Sequence, residues 1–331
     1  MTDSPSRVED MGRDPGHEGG GGALGPEMLA PRRSSPTETI NRLIRYDVPG
    51  AIALAVILLT ILIVAFGTNL TPYTKDQIFT EANPDYDPKS SAPEALNETR
   101  TAFLASPSGD HWLGTDTRGR DLFTRLIHGS RISVPIGVGA AFFGCIAGSI
   151  IGLVSGLAGG KFDLVLQRFV DAMIAFPPLV LLLLIVQVGE RSFALTMVAL
   201  SILVTFSASR VIRAATMRTR GEVFIEAARS VGASRLRIMV RHIFPNVIDP
   251  IIVIFSISIG TNILAEASLA FLNLSVPGPS WGQIVNEGRA FLDSKPMMSI
   301  SAGVAITVVV LSFNILGDAT RDWLDPRQRT R

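Results

Sequence analysis

Ile225-Glu226-Ala227-Ala228-Arg229-Ser230-Val231-Gly232-Ala233-Ser234-Arg235-Leu236-Arg237-Ile238-Met239-Val240-Arg241-His242-Ile243-Phe244-Pro245-Asn246 is the longest strongly basic run between two stretches that could each cross a bilayer. Its reading decides where the rest of the chain is placed. Glu226, Ala227, Ala228 and Arg229 are good helix formers, and Gly232 lets the chain turn at positive φ with little steric cost. Ser234 can cap a second helix, in which Leu236, Met239, Val240 and Ile243 recur at helical spacing. Arg235, Arg237 and Arg241 take its other faces. The pattern predicts helix, break and helix, and its bland alternative is a basic helix lying on the inner membrane surface.

Outward from this hub, composition points to a membrane. The 331 residues are 47% hydrophobic and 18% charged, with a mean hydropathy of +0.36, whereas about 25% charged is usual for a soluble domain. Six segments approach the ~20 apolar residues needed to span a hydrocarbon core: 50–67, 133–158, 169–189, 193–212, 250–272 and 297–317. The fold expected is an all-α polytopic bundle of six transmembrane helices. Gly189-Glu190-Arg191-Ser192 leaves room only for a tight hairpin between the third and fourth.

Arginine and lysine assign the sides. Arg32, Arg33, Arg42 and Arg45 precede the first span, Lys161 and Arg168 follow the second, and seven arginines from Arg213 to Arg241 follow the fourth. Arg321, Arg327, Arg329 and Arg331 close the chain, while the short loops of the opposite side hold only Arg191, Arg289 and Lys295. Both termini and the hub are therefore expected in the cytoplasm. The loop 68–131 is too long to obey the rule.

The domain plan runs from a disordered cytoplasmic tail over 1–40, rich in Gly, Pro, Ser and charge, through a first transmembrane helix over 41–67. No signal peptide is expected, because the first apolar run begins only near residue 50. An external loop over 68–131 follows, irregular over 68–110. Leu122, Phe123, Leu126 and Ile127 then form the stripe of a short amphipathic helix capped near Thr117 or Asp121, which either anchors the next span or docks a partner. A five-helix core over 132–317 contains the hub loop 213–247, and 318–331 is a cytoplasmic tail.

Three further motifs make a resemblance specific. The hub, with Glu-Ala-Ala, a Gly four positions past the second Ala and a Phe244-Pro245 close, resembles the EAA loop of ABC-importer permeases. The run from His111 to Ser133, of pattern HxLGTDxxGRDxxxRxxxGxRxS, is similar to the approach to the second helix of C-type subunits in the dipeptide/oligopeptide/nickel permease family. Ala265-Glu266-Ala267-Ser268-Leu269-Ala270-Phe271-Leu272 followed by Pro279-Ser280-Trp281-Gly282, and the tail Leu316 to Arg327, match it too. Together the matches cover most of residues 42–328. His242 and Phe244 stand where the general pattern has Ile and Leu, and Phe244 keeps the apolar character.

The resemblance implies a permease subunit in a bacterial cytoplasmic membrane, with di- or oligopeptides as the expected cargo and nickel or another small solute as the alternative. It implies a heterodimer with a second homologous permease, two ATPase subunits carrying ATP and magnesium, and an external substrate-binding protein. Membrane lipid is a partner and nucleic acid is not. Glu226, Ala227, Ala228, Gly232, Leu236, Phe244 and Pro245 are the expected ATPase-coupling residues.

No engine is expected in the chain itself. A phosphate cradle needs GxxxxGK[ST], and the nearest approach, Gly160-Lys161, has Ser155 and Phe162 at the required Gly and Ser/Thr positions. No catalytic constellation stands out, the single Cys145 excludes an intrachain disulfide, and His17, His111, His128 and His242 lack metal-ligand spacing. The rival, a secondary transporter or channel, would place carboxylates near the midplane or carry a filter. Asp171 falls at the cytoplasmic start of the third span, and Glu266 about 24 Å along from Pro250, near the outer end. A carboxylate at mid-helix costs about 2.5–3.5 kcal/mol on insertion scales, so both should face protein. Glu266 with Asn262 either bonds to a partner, lines an outer gate, or snorkels. Pro177 and Pro178 bend the third span, as a hinge for access or as packing.

Overall fold

The computed structural model describes residues 48–85, 89, 97 and 99–324. The expected tail over 1–40 and the residues after 324 lie outside the described residues. Five described helices are long and apolar enough to cross a membrane, and a bent helix pair brings the number to six when counted as one span. They are α1 (Val48–Leu70), α2 (Leu122–Ala158), the pair α3 (Gly160–Ala175) and α4 (Pro178–Val188), and α5 (Phe193–Arg220). After the hub helices α6 (Val223–Ser230) and α7 (Arg235–Arg237) come α8 (Phe244–Phe271), α9 (Trp281–Gly288) and α10 (Met297–Leu324).

Helix α2 is the axis of the bundle. It packs along α5 on one side and against α8 on another, while α10 lies on α8 and α1 covers α10 and α2. Lipid and protein interior are equally apolar, so helices in a bilayer associate through close packing rather than hydrophobic exclusion. Gly144, Gly148, Gly152 and Gly156 recur every four residues on α2 and form the face that meets α5. A Cβ on Gly148 would sit 2.6 Å from the Thr205 carbonyl oxygen, and one on Gly152 2.7 Å from that of Ser209. Backbone meets backbone there, and no side chain can give way. Gly148→Leu is expected to reduce folded protein in detergent-extracted membranes several-fold by size-exclusion profile. Gly303→Leu, where a Cβ meets nothing within 4 Å, should leave that profile unchanged.

Three local expectations need correction. First, the amphipathic stretch of the external loop is not a separate helix. Asp121 caps it by accepting from the Thr124 amide at 2.7 Å, and the helix then runs unbroken to Ala158. At about 55 Å it exceeds the ~30 Å core, so its first turns stand outside the hydrocarbon. Second, 68–110 is not wholly irregular: β1 (Thr80–Ala82) pairs antiparallel with β2 (Thr99–Thr101), reinforced by Arg100 Nε donating to Glu81 at 2.9 Å. Third, 169–189 is not one continuous helix. Phe176 is held extended (φ −70°, ψ 134°) by the proline after it. Pro178 starts a new helix where its missing N–H costs nothing, and the two helices meet at 89°. The second arm, α4, is about 16 Å long, half the hydrocarbon thickness.

Candidate functional site: the hub loop and the buried polar clusters

The hub folds as two short helices around Gly232. Helix α6 ends in a Schellman arrangement: the Ala233 amide donates to Ala228 O at 3.1 Å and the Gly232 amide to Arg229 O at 2.9 Å. Gly232 has φ +80°, the left-handed conformation that arrangement requires. Ser234 then caps the next helix, accepting from the Arg237 amide at 3.4 Å. The second helix does not stop at the Phe244-Pro245 close of the motif: α7 passes through a π-helical turn, Ile238–Ile243, directly into α8, giving one 37-residue helix from Arg235 to Phe271. The wider turn is what admits Pro245: proline inside a regular helix loses its own hydrogen bond and collides with the carbonyl four residues back. The Asn246 side chain donates to the His242 carbonyl at 2.6 Å, satisfying one of the acceptors disturbed there.

The expected coupling residues divide by direction. Ala228 points inward, and with Ile225, Ile238, Ile243 and Val247 belongs to a buried cluster that also contains Cys145, Leu153 and Val204. It fastens the loop to α2 and α5 rather than offering itself to a partner. Ile225, fully buried, is an anchor the sequence reading missed. Its signal was its place one residue before Glu226 and three before Ala228, the spacing of one helix face. Glu226, Ala227, Gly232, Leu236, Phe244 and Pro245 are exposed. Around them Val223, Val231 and Leu236 expose 79%, 84% and 66% of their surface. A patch this apolar on a water-facing loop, rimmed by Arg229, Arg235 and Arg237, has the make-up of a protein interface.

Glu266 faces protein, as expected, and Asn262 lies beside the same contact. Glu266 is completely buried and Asn262 nearly so. The Ser275 hydroxyl donates to Glu266 Oε1 at 2.8 Å, with the Ser133 and Ser280 hydroxyls alongside, and Oε2 has no hydrogen-bond partner among the described residues. Glu266 therefore neither snorkels nor meets a partner subunit here. It ties α8 to α2 and to the loop before α9. Asn262 Nδ2 donates to the Gly137 carbonyl at 3.5 Å, across the α8–α2 contact. Pro177 and Pro178 are exposed at the corner already described.

Two ion clusters went unread in the sequence. On the side of the external loop, Asp116 is wholly buried and receives Arg120 Nε at 2.7 Å and Arg125 Nη1 at 2.5 Å. Glu287 of α9 receives Arg125 Nη1 at 2.6 Å and Gln283 Nε2 at 3.2 Å. Two cations meet two anions, which gives the Gly-Thr-Asp and Gly-Arg-Asp motifs a structural purpose. At the other end Arg213 grips Asp163 at 2.6 and 2.5 Å, and Asp171 is held by Arg210 at 2.5 Å. Both pairs tie α3 to α5. Asp171, expected to face protein, is paired with Arg210 but remains 45% exposed. No group of His, Cys, Asp and Glu suited to a metal occurs among the described residues.

Comparisons with known proteins accord with this geometry. The family model described as binding-protein-dependent transport system inner membrane component matches residues 148–330, which include the hub. The glutathione transport system permease protein GsiD of Pectobacterium atrosepticum is 36% identical over 292 residues, covering 88% of this chain and 90% of that one. The dipeptide transport system permease protein DppC of Alkalihalophilus pseudofirmus is 38% identical over 229 residues, 69% and 75% of the two chains. In fold, the chain is similar to one of the inward-facing MetNI methionine ABC transporter, with a TM-score of 0.53, 17% identity, and coverage of 62% of this chain and 98% of that one.

Proposed function

The chain belongs to the family of binding-protein-dependent transport system inner membrane components, and from that membership we propose that it forms half of the pathway of an ATP-driven importer of short peptides. That it is a multi-pass permease subunit of such an importer follows from the family itself. The peptide cargo is supported by relatives named for glutathione and dipeptide transport, one of them alike over 88% of this chain. Glutathione is itself a tripeptide, so both names describe one chemical class. Nickel is the less favoured cargo.

The remaining parts of the machine are inferred from the hub. Its exposed apolar and cationic knob suits a cleft on an ATPase subunit, with ATP and magnesium held there and none on this chain. Two such ATPases, a second homologous permease and an external binding protein complete the assembly. The arginine bias supports a cytoplasmic hub and cytoplasmic termini; a reporter active only in the cytoplasm should therefore work when fused after Arg331. The deciding experiment reconstitutes the complex in liposomes and measures uptake of labelled dipeptide, glutathione and nickel. Peptide uptake should require ATP on the hub side and vanish when the ATPases are omitted. Uptake driven by an ion gradient without them would replace this reading with a secondary transporter, and nickel uptake indifferent to competing peptide would replace the cargo.

A further inference from the structure

A cavity among the described residues lies away from the hub, between α1, α2 and α10, beneath the external loop. Its volume is about 800 Å³, in the ~300–1,000 Å³ range of small-molecule sites. On α1 the lining runs from Val56 to Leu70, about 21 Å along the helix, more than one leaflet of a ~30 Å core. Phe123 and Leu126 of α2 and Val304 and Val308 of α10 form the opposing walls.

We propose that this cleft binds a phospholipid with an ammonium-bearing headgroup, of the phosphatidylethanolamine kind, taken from the leaflet on the side of the external loop. Three observations select that occupant. The cleft opens onto hydrocarbon, because Leu59 lines it while remaining 57% exposed, on a helix whose Leu58, Leu62 and Phe66 are also more than half exposed. Its mouth is built for the headgroup level. Trp112, 67% exposed, packs on Phe123 at 5.0 Å between ring centres, and the Tyr73 hydroxyl donates to the Asp110 carbonyl at 3.1 Å. Amphipathic rings of this kind settle at the membrane–water boundary.

Charge makes the third observation. The lining contains two carboxylates, Asp110 and Asp121, and no Lys, Arg or His. Asp121 is occupied by His111 Nδ1 at 2.9 Å and by the Thr124 amide. Asp110 is exposed and forms no ion pair among the described residues. Arg131 stands just outside the lining, donating to the Val64 and Ala65 carbonyls of α1 at 2.8 Å, so the feature that selects an ammonium is the exposed Asp110 carboxylate. The lipid would fill the gap beside α1, whose main packing among the described residues is on α2 and α10.

The test uses the intact complex in nanodiscs of equimolar phosphatidylethanolamine and phosphatidylglycerol, followed by detergent washing and native mass spectrometry of the lipid retained. Wild type should keep phosphatidylethanolamine in about tenfold excess. Asp110→Asn should bring the two lipids near parity, and Ala305→Trp, which fills the cleft, should cut retention about tenfold. Val304→Trp at the half-exposed edge serves if Ala305→Trp does not fold, and Ile61→Trp, outside the lining, should change nothing. Parity in the wild type, or full retention with the cleft filled, would overturn the proposal. So would a photo-crosslinker at position 304 that captures protein instead of lipid.

Discussion

Arg125→Ala is expected to remove most of the folded protein from the membrane. The guanidinium is 2% exposed and joins a fully buried Asp116 to Glu287. Truncation leaves Asp116 with Arg120 and strips Glu287 of its strongest partner, since Arg120 Nη2 reaches it only at 3.4 Å. Breaking a buried pair by removing one member costs about 3–5 kcal/mol, against total stabilities of about 5–15 kcal/mol. The damage also reaches far, because Glu287 fastens α9, and Trp281 of α9 donates through Nε1 to the Leu126 carbonyl at 2.9 Å. Arg120→Ala should be milder, as Arg125 still serves both carboxylates. Replacing the outer pair together, Arg125→Met with Glu287→Gln, should recover part of the loss because no uncompensated charge then remains. Membrane abundance and the melting temperature of the detergent-solubilised chain are the readouts. Wild-type values for Arg125→Ala would show that the network contributes nothing.

How much of this was legible follows from the range over which each feature is set. The spans were readable because the bilayer imposes a local rule on about 20 consecutive residues. The break at Gly232 was readable because positive φ is written in one residue. Pro177-Pro178 announced a bend, but 89° depends on what α3 and α4 pack against, which no dipeptide encodes. The glycine ladder Gly144, Gly148, Gly152 and Gly156 lay in plain view at four-residue spacing; it went unread because the run was scored for apolar length instead of face. Partners distant in sequence were beyond reach. Arg125 and Glu287 are 162 residues apart, Arg213 and Asp163 fifty, and without contacts each charge reads as a solvated one. Glu266 was legible only in part: the cost of a carboxylate in lipid turned it toward protein, but its partner Ser275 lies on another segment and could not be named.

Gly232→Val and Glu226→Lys are expected to abolish transport while leaving the protein in place, and the structure separates the two effects. At Gly232 a Cβ meets no atom within 4 Å, so the cost of valine is conformational, roughly 1–2 kcal/mol for a branched residue held left-handed. That is too little to unfold a bundle whose core contacts lie on α2, α5 and α8. The strain is relieved by opening the Schellman turn, which rotates α6 relative to α7 and carries Glu226 and Ala227 away from Leu236. Glu226 is exposed in the first turn of α6, where a carboxylate suits the helix dipole by about 0.3–1 kcal/mol. Lysine loses that and presents the opposite charge on the knob. Coupling between sites is worth about 1–3 kcal/mol, or 5–150-fold, so losing the knob's shape or charge should reduce ATP-dependent uptake at least about tenfold. Ala228→Leu should behave differently, because Ala228 is packed inward against the bundle and a larger side chain there should reduce abundance first. Uptake, membrane abundance and ATPase retention in the purified complex are measured for all three. Normal uptake in both Gly232→Val and Glu226→Lys would remove the coupling role from the hub, and parallel loss of uptake and protein would reduce it to a folding element.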